Sequence, residues 1–420
     1  MELLTRNEIE LIVKKCGFTV CDSLKWSIDN YSSELIGYLG EHLRLIIEVD
    51  VKGINSKLNL FMKCIPRFNK WKAEYLRETG FFNKEFAMLN GLFQYFQVDQ
   101  GVRKWRPNLL YVKEELFVFE DVSQLGYVMP NHTITLADDE LMATVEAMAR
   151  FHAQSYIYEE TKSKELNRSY KIWEDYGDFL TEPTHGQRWR DTGKRAAVDY
   201  LKEYSAYKSK PGFHEDVEVI LSILFDKALK LMTPSKKYRN VVIHRDIWTN
   251  NIFLKKLDSG KFHALIVDYQ TVLYSSPMLD LSSLLFFNTT KNFRSTQTDN
   301  VIDLYYATVA EELKRNDIDV CTVTDKDTLR RAYDDSLVFG LTQAALIVPI
   351  VAMSGEKRRK IYGNHEIAIK LDVVSRSKEF IETAREDSNY KSRVTELLDD
   401  IVERFMYPLE SLDINAREGN

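Results

Sequence analysis

One β-rich island, Val241 to Val272, interrupts a long run of helical patterns, and it restricts the possible folds more than any other feature. An apolar strand, Val241-Val242-Ile243, leads into His244-Arg245-Asp246. Asn251 follows Asp246 by five positions, and a second apolar strand, Ile252-Phe253-Leu254, leaves. After the turn Leu257-Asp258-Ser259-Gly260, a third strand, Ala264-Leu265-Ile266-Val267, ends on Asp268-Tyr269-Gln270. A polar loop holding Asp and Asn means little alone. Between buried strands, with an Asp at hairpin distance, it becomes specific.

Phosphoryl transfer accounts for this order of residues. Its loose transition state demands positioning and charge neutralisation rather than covalent chemistry by the protein. Asp246 is placed to accept a proton from a substrate hydroxyl. Asn251 and Asp268 offer hard oxygen ligands for magnesium, which bridges nucleotide phosphates, and the hairpin returns the chain so that both can face one ion. ATP and Mg2+ are the implied cofactors.

Upstream, Leu60-Phe61-Met62-Lys63-Cys64-Ile65-Pro66 places one lysine in an apolar strand, where an unpaired ammonium is costly. The expected partner is Glu85, at the border of a helix whose apolar face is spelled by Phe82, Phe86, Leu89, Phe93 and Phe96. Glu74 and Glu78 fall in a charged stretch before it and are expected to be solvated. The alternatives are an edge-strand lysine reaching for water and a surface glutamate. Phe117-Val118-Phe119 runs into Glu120-Asp121-Val122, whose backbone groups are the candidates for reading the adenine edge. No GxGxxG loop exists; Gly37-Tyr38-Leu39-Gly40 is the only glycine pair in the early β region, a candidate phosphate cover that is equally a plain turn.

The remaining chain falls into place around these motifs. Strand patterns from Trp26 to Pro66, with a turn at Gly53-Ile54-Asn55-Ser56, then one helix and strands at Leu109 to Val112 and Leu116 to Glu120, predict a small β-rich lobe over residues 1–122. Helices at Leu136 to Tyr158, Gly193 to Tyr207, Glu215 to Met232, Asn300 to Arg315, Thr328 to Met353 and Ser375 to Met406 predict a larger helical lobe over residues 123–420. The expected fold is therefore two-lobed α+β. A net charge of −6 without a dense basic stripe argues against nucleic acid or an anionic membrane as main partner. Cys16, Cys21, Cys64 and Cys321 lack metal-ligand or disulfide-framework spacing. The start has no signal-peptide core. The longest apolar stretch, Leu341 to Met353, contains Gln343 and Pro349 and is expected to be a buried helix rather than a membrane span. The cytoplasm is the expected compartment.

Taken together, these segments resemble the ecdysteroid kinase-like proteins, within the choline kinase and aminoglycoside phosphotransferase group. The resemblance is carried by Phe61 to Pro66, Phe82-Asn83-Lys84-Glu85-Phe86, Phe119-Glu120-Asp121, Met148-Ala149-Arg150-Phe151-His152-Ala153, His244 to Asn251, Asp268-Tyr269-Gln270 and Pro277-Met278-Leu279-Asp280-Leu281. It implies a protein kinase-like fold, with His244 and Asp280 supporting the catalytic loop; an alternative for Asp280 is a helix N-cap before Leu281. It also implies an apolar, steroid-like alcohol as acceptor. Large side chains such as Trp173, Tyr176, Phe179, Trp189, Phe286, Phe287, Tyr305, Tyr306 and Phe339 are available for a cleft wall, though helix-period aromatics more often pack in cores. Two departures stand out: Arg245 where the family usually carries Gly, and Tyr269 where Phe is usual. Only Thr271 to Ser276 separate Gln270 from Pro277, which leaves no room for an activation segment and disfavours a protein substrate. Two alternatives remain open. One is a choline, ethanolamine or amino-sugar kinase, for which Trp173-Glu174-Asp175-Tyr176 could receive a cation. The other is an inactive kinase fold that binds a nucleotide or a lipophilic ligand.

Overall fold

The computed structural model describes residues 3–19, 21–31, 40–131, 133–183 and 187–407. The chain packs into two compact units: Met1–Pro130 with Glu146–Leu180 and Asn250–Val272, and Asn131–Val145 with Thr181–Thr249 and Leu273–Asn420. The β-rich beginning and the helical remainder make the α+β, kinase-like fold expected from the sequence.

The first unit is built on a five-stranded antiparallel sheet in the order β1-β2-β3-β5-β4. Its strands are β1 (Ser23–Asn30), β2 (Glu41–Val51), β3 (Ile54–Cys64), β4 (Leu109–Lys113) and β5 (Leu116–Glu120). Alternation along β3 decides what each face holds. Leu60, Met62 and Cys64 join Leu43, Leu45, Ile47 and Val49 in a core closed by Ile9, Ile12 and Val13 of α1 (Arg6–Lys15). Phe61 and Lys63 therefore belong to the opposite face. The β2–β3 turn lies earlier than expected. Val51 already pairs with Ile54, and the two turn residues are Lys52 and Gly53, with φ of 52° and 76°. Such a two-residue turn matches strand twist and favours glycine.

Two helices follow where one was expected. The charged stretch is itself a helix, α2 (Lys70–Thr79), on which Glu74 and Glu78 are exposed as anticipated. Gly80, at φ 72°, ends it in the left-handed region and opens α3 (Phe81–Asn90) at once. Residues 146–166 of α4 (Asp138–Leu166), the single turn α5 (Trp173–Tyr176) and the hairpin β7 (Ile252–Lys256) with β8 (Phe262–Ile266) complete this unit. Phe93, Trp105, Phe151 and Tyr269 pack there ring on ring, with Tyr269 5.2 Å from Phe93 and 5.3 Å from Phe151. The Tyr269 hydroxyl donates to the Ile266 carbonyl at 3.0 Å, so tyrosine in place of phenylalanine leaves no buried polar group unmet.

The second unit is helical apart from the short pair β6 (Val241–Ile243) and β9 (Leu273–Ser275). Its helices are α6 (Arg188–Tyr204), α7 (Phe213–Leu231), α8 (Met278–Asn288), α9 (Lys291–Lys314), α10 (Lys326–Val351), α11 (Gly355–Tyr362), α12 (His365–Ile369), α13 (Ser377–Glu386) and α14 (Ser388–Phe405). By length and composition α10 could cross a membrane. Yet 78% of its apolar window is buried against its neighbours α6, α7, α8, α9 and α14, so it is the core helix of this unit. Gly340 of α10 allows the closest approach, since a Cβ there would lie 2.8 Å from the Ser282 backbone of α8. The expected single helix from Ser375 to Met406 is two. Asp387 breaks it and caps α14, accepting from the amides of Asn389 and Tyr390.

Candidate active site

Lys63 and Glu85 meet as the sequence suggested. Strand alternation turns Lys63 toward α3, and the helix turns Glu85 toward the sheet. Lys63 Nζ lies 2.6 Å from Glu85 Oε2, with both side chains almost wholly buried. A second carboxylate joins them: Asp268 Oδ1 is 2.7 Å from the same ammonium. Burial alone would depress the Lys63 pKa, but the charges of Asp268 and Glu85 outweigh it and hold the amine above the ordinary lysine range. Glu85 moves the other way from a simple ion-pair partner, up to about 6. Its burial is the largest cause, Lys63 opposes it, and Asp268 adds to it. The two directions differ because two carboxylates outweigh burial at Lys63, whereas at Glu85 one ammonium does not. Phe82 lies under the ammonium at 5.4 Å, and Gly40 leaves room for the lysine stem, as a Cβ there would stand 3.2 Å from Lys63 Cγ. Of the glycine pair considered as a phosphate cover, Gly37 lies outside the described residues, as do Tyr38 and Leu39.

The β7–β8 hairpin brings Asn251 and Asp268 to one end. The ladder pairs Ile252 with Ile266 and continues with Val267 donating to the Asn251 carbonyl at 3.0 Å. Asp268 follows at φ 71°, in the left-handed region that side chains rarely adopt, at a cost of roughly 1–2 kcal/mol. Gln270 Nε2 donates to Asp268 Oδ2 at 3.0 Å, while Gln270 Oε1 is buried without a hydrogen-bond partner. This donor set suits magnesium. Asn251 and Asp268 offer hard oxygens, with the unsatisfied Gln270 Oε1 two residues beyond, and such an ion takes its other ligands from phosphates and water. Among the described residues no three His, Cys, Asp or Glu gather to hold a metal, so an ion here would rest on Asn251, Asp268 and the nucleotide.

Asp246 lies in the second unit, on a loop fixed from below. Asp280, in the first turn of α8, accepts the His244 amide at 2.5 Å and the Arg245 amide at 2.6 Å. It is thus a brace rather than a helix cap. The Asp246 amide approaches His244 Nδ1 at 3.3 Å, and Asn288 Nδ2 holds the Ile247 carbonyl at 2.9 Å. Arg245 takes φ 73°, and its guanidinium pairs with Glu182, which also binds Arg190. Nothing in the sequence pointed to Glu182, since it stands 63 positions from Arg245 in a stretch without periodicity.

The proposed adenine-reading segment is also locally organised. The Glu120 carboxylate binds Lys104 and the Asn108 amide, and the Asp121 carboxylate accepts from the Tyr31 hydroxyl at 2.8 Å and from Ser123. The Asp121 and Val122 carbonyls accept from the Gln124 and Tyr127 amides. Both acidic side chains therefore shape the segment.

An antiparallel sheet with a buried lysine held by a helix glutamate, and a braced His-Arg-Asp loop followed by an Asp-bearing hairpin, define a kinase-like protein of the small-molecule type. The chain belongs to the ecdysteroid kinase-like family, whose sequence profile matches residues 29–317. No curated protein matches the chain significantly. Among solved structures, a microcompartment-associated aminopropanol kinase is similar at 12% identity, covering 92% of this chain and 99% of that one, with a TM-score of 0.39. A GDP complex of wild-type aminoglycoside 2'-phosphotransferase-IIIa is similar at 12% identity, covering 92% and 98%, with a TM-score of 0.36. TM-scores this low mean a loose superposition.

Proposed function

We propose that this protein is a cytoplasmic, ATP- and Mg2+-dependent phosphotransferase whose acceptor is a hydroxyl of an apolar, steroid-like alcohol. The observation that carries the reading is the buried Lys63 ammonium between Glu85 and Asp268. The two carboxylates keep this ammonium charged and fixed in place, and nucleotide phosphates are the class of anion that such a held cation would bind. Lys63 would then hold the phosphates, with Glu85 fixing its position. Asn251 and Asp268 would hold magnesium, which neutralises phosphate charge when bound, and the Glu120 to Val122 backbone would face the adenine edge. In the transfer, the acceptor oxygen forms a bond to the γ-phosphorus and its proton passes to the Asp246 carboxylate. The bond from the γ-phosphorus to the β–γ bridging oxygen breaks, and ADP leaves.

Family membership supports the small-molecule acceptor, and the steroid-like class is the finer part of the proposal. Of the candidate wall residues, Phe286, Phe287, Tyr305 and Phe339 are core. Trp189 and Tyr306 are part-exposed in the second unit, and Trp173, Tyr176 and Phe179 are at least part-exposed in the first. The cationic alternative loses ground, because Glu174 is engaged by Arg168 and the Lys171 amide, and Asp175 by the Tyr170 hydroxyl.

The test is ATP-dependent phosphorylation across sterols, other apolar alcohols, choline and aminoglycosides, with Asp246→Asn as control. Transfer to the apolar alcohols should fall roughly 10²–10⁴-fold in the variant, the usual worth of a general base, while ATP still binds. Turnover of choline or an aminoglycoside with none of sterols sinks the acceptor class. Unchanged turnover in Asp246→Asn sinks the assignment of the base.

A further inference from the structure

Arg245 occupies a backbone position that favours glycine, one residue before Asp246. Its φ is 73°, and its amide is tied to Asp280 Oδ1 at 2.6 Å, so leaving the left-handed region would break that bond. The side chain runs from there into a buried ion pair with Glu182 Oε2. The other carboxylate oxygen, Oε1, accepts from Arg190 Nη2 at 2.9 Å. All three side chains are less than a tenth exposed. Arg190 lies over the Trp189 ring at 5.7 Å, and its Nε and Nη1 have no hydrogen-bond partner. One buried carboxylate therefore serves two guanidiniums, and without it two like charges would face each other in a poorly solvated place.

We propose that Glu182 is a positioning residue for the catalytic loop. It clamps the Arg245 side chain, holds the left-handed turn at that residue, and so fixes the direction in which the chain enters Asp246. A glycine would take this turn without strain but also without a side chain to anchor; here an arginine takes it and Glu182 supplies the anchor. Glu182 acts through Arg245, whose guanidinium it pairs with. The catalytic half of the proposal rests on Asp246 being the base.

The test compares the wild type, E182Q, R245G and E182Q/R245G, by steady-state kinetics and by hydrogen exchange of residues 244–251 in the ligand-free protein. E182Q is expected to lower kcat roughly 10- to 100-fold, the scale of a slightly misplaced catalytic group, with KM for ATP unchanged. Exchange in the loop should accelerate. In the R245G background, E182Q should shift kcat less than about threefold and leave exchange where R245G put it, because the Arg245 side chain that the clamp holds is gone. Equal losses in both backgrounds, or no loss in either, overturn the clamp. Should E182Q fail to fold, E182D keeps the charge with a shorter reach, and the same background dependence is required of it. If the wild type transfers no phosphate, the kinase reading fails by itself and the exchange data alone decide. Acceleration only where Arg245 is present upholds the clamp, and its absence overturns it.

Discussion

Lys63 shows how one side chain becomes the pivot of a site. Its strand places it among apolar residues, and two carboxylates make the ammonium affordable there. Lys63→Ala should lower kcat roughly 10²–10³-fold, as when one preorganised charge is lost. It should also lower thermal stability, because the buried Glu85 would lose its cation and face the part-exposed Asp268. Both can be read from steady-state kinetics and a melting curve. Glu85 supplies a pH test. With its carboxyl raised to about 6, it is ionised above that pH and able to steady Lys63. Below it the proton removes the charge that holds the ammonium. Facing it are Lys63, Asp268 and the Tyr269 backbone. Turnover should therefore fall as pH drops through about 6, and Glu85→Gln should give a lower profile without that limb. A limb that persists unchanged in Glu85→Gln belongs to another group.

At the scale of elements, the left-handed residues mark where regular structure is bent to serve the site. Gly80 divides α2 from α3, and Asp268 and Arg245 turn the chain after a strand and before the base. The helical unit answers with close packing of α8, which carries Asp280, against α10. Gly340→Ala would push a methyl within 2.8 Å of the Ser282 backbone. Overpacking of this kind typically costs about 1–3 kcal/mol. Chemical denaturation should show that loss. Turnover should drop as well if α8 shifts, since Asp280 braces the loop from its first turn. An unchanged midpoint would mean that the two helices separate freely.

For the whole molecule, the units do not follow chain order: the hairpin with Asn251 and Asp268 packs with the N-terminal sheet, whereas the loop with Asp246 packs with the helices. Removing magnesium with a chelator should abolish transfer and spare the fold, because the Lys63 cluster and the hairpin ladder are held by the protein's own bonds. A coincident loss of secondary structure would point to a structural metal instead. The sequence alone determined the elements whose signals are local. Alternation put Lys63 opposite the α1 core, the apolar runs around His244 to Gln270 spelled the loop and hairpin, and helical spacing singled out Glu85. Helix limits were less legible: the charge of Lys70–Thr79 hid α2 before Gly80, and Asp387 breaks a pattern that continues across it. Tertiary structure decided what depends on groups distant in the chain. Asp268 shares Lys63 with Glu85 across 205 positions, Glu182 clamps Arg245, and Asp280 accepts two loop amides rather than capping a helix. Local propensity cannot encode such partners, since their energy arises only when burial removes water from both charges at once.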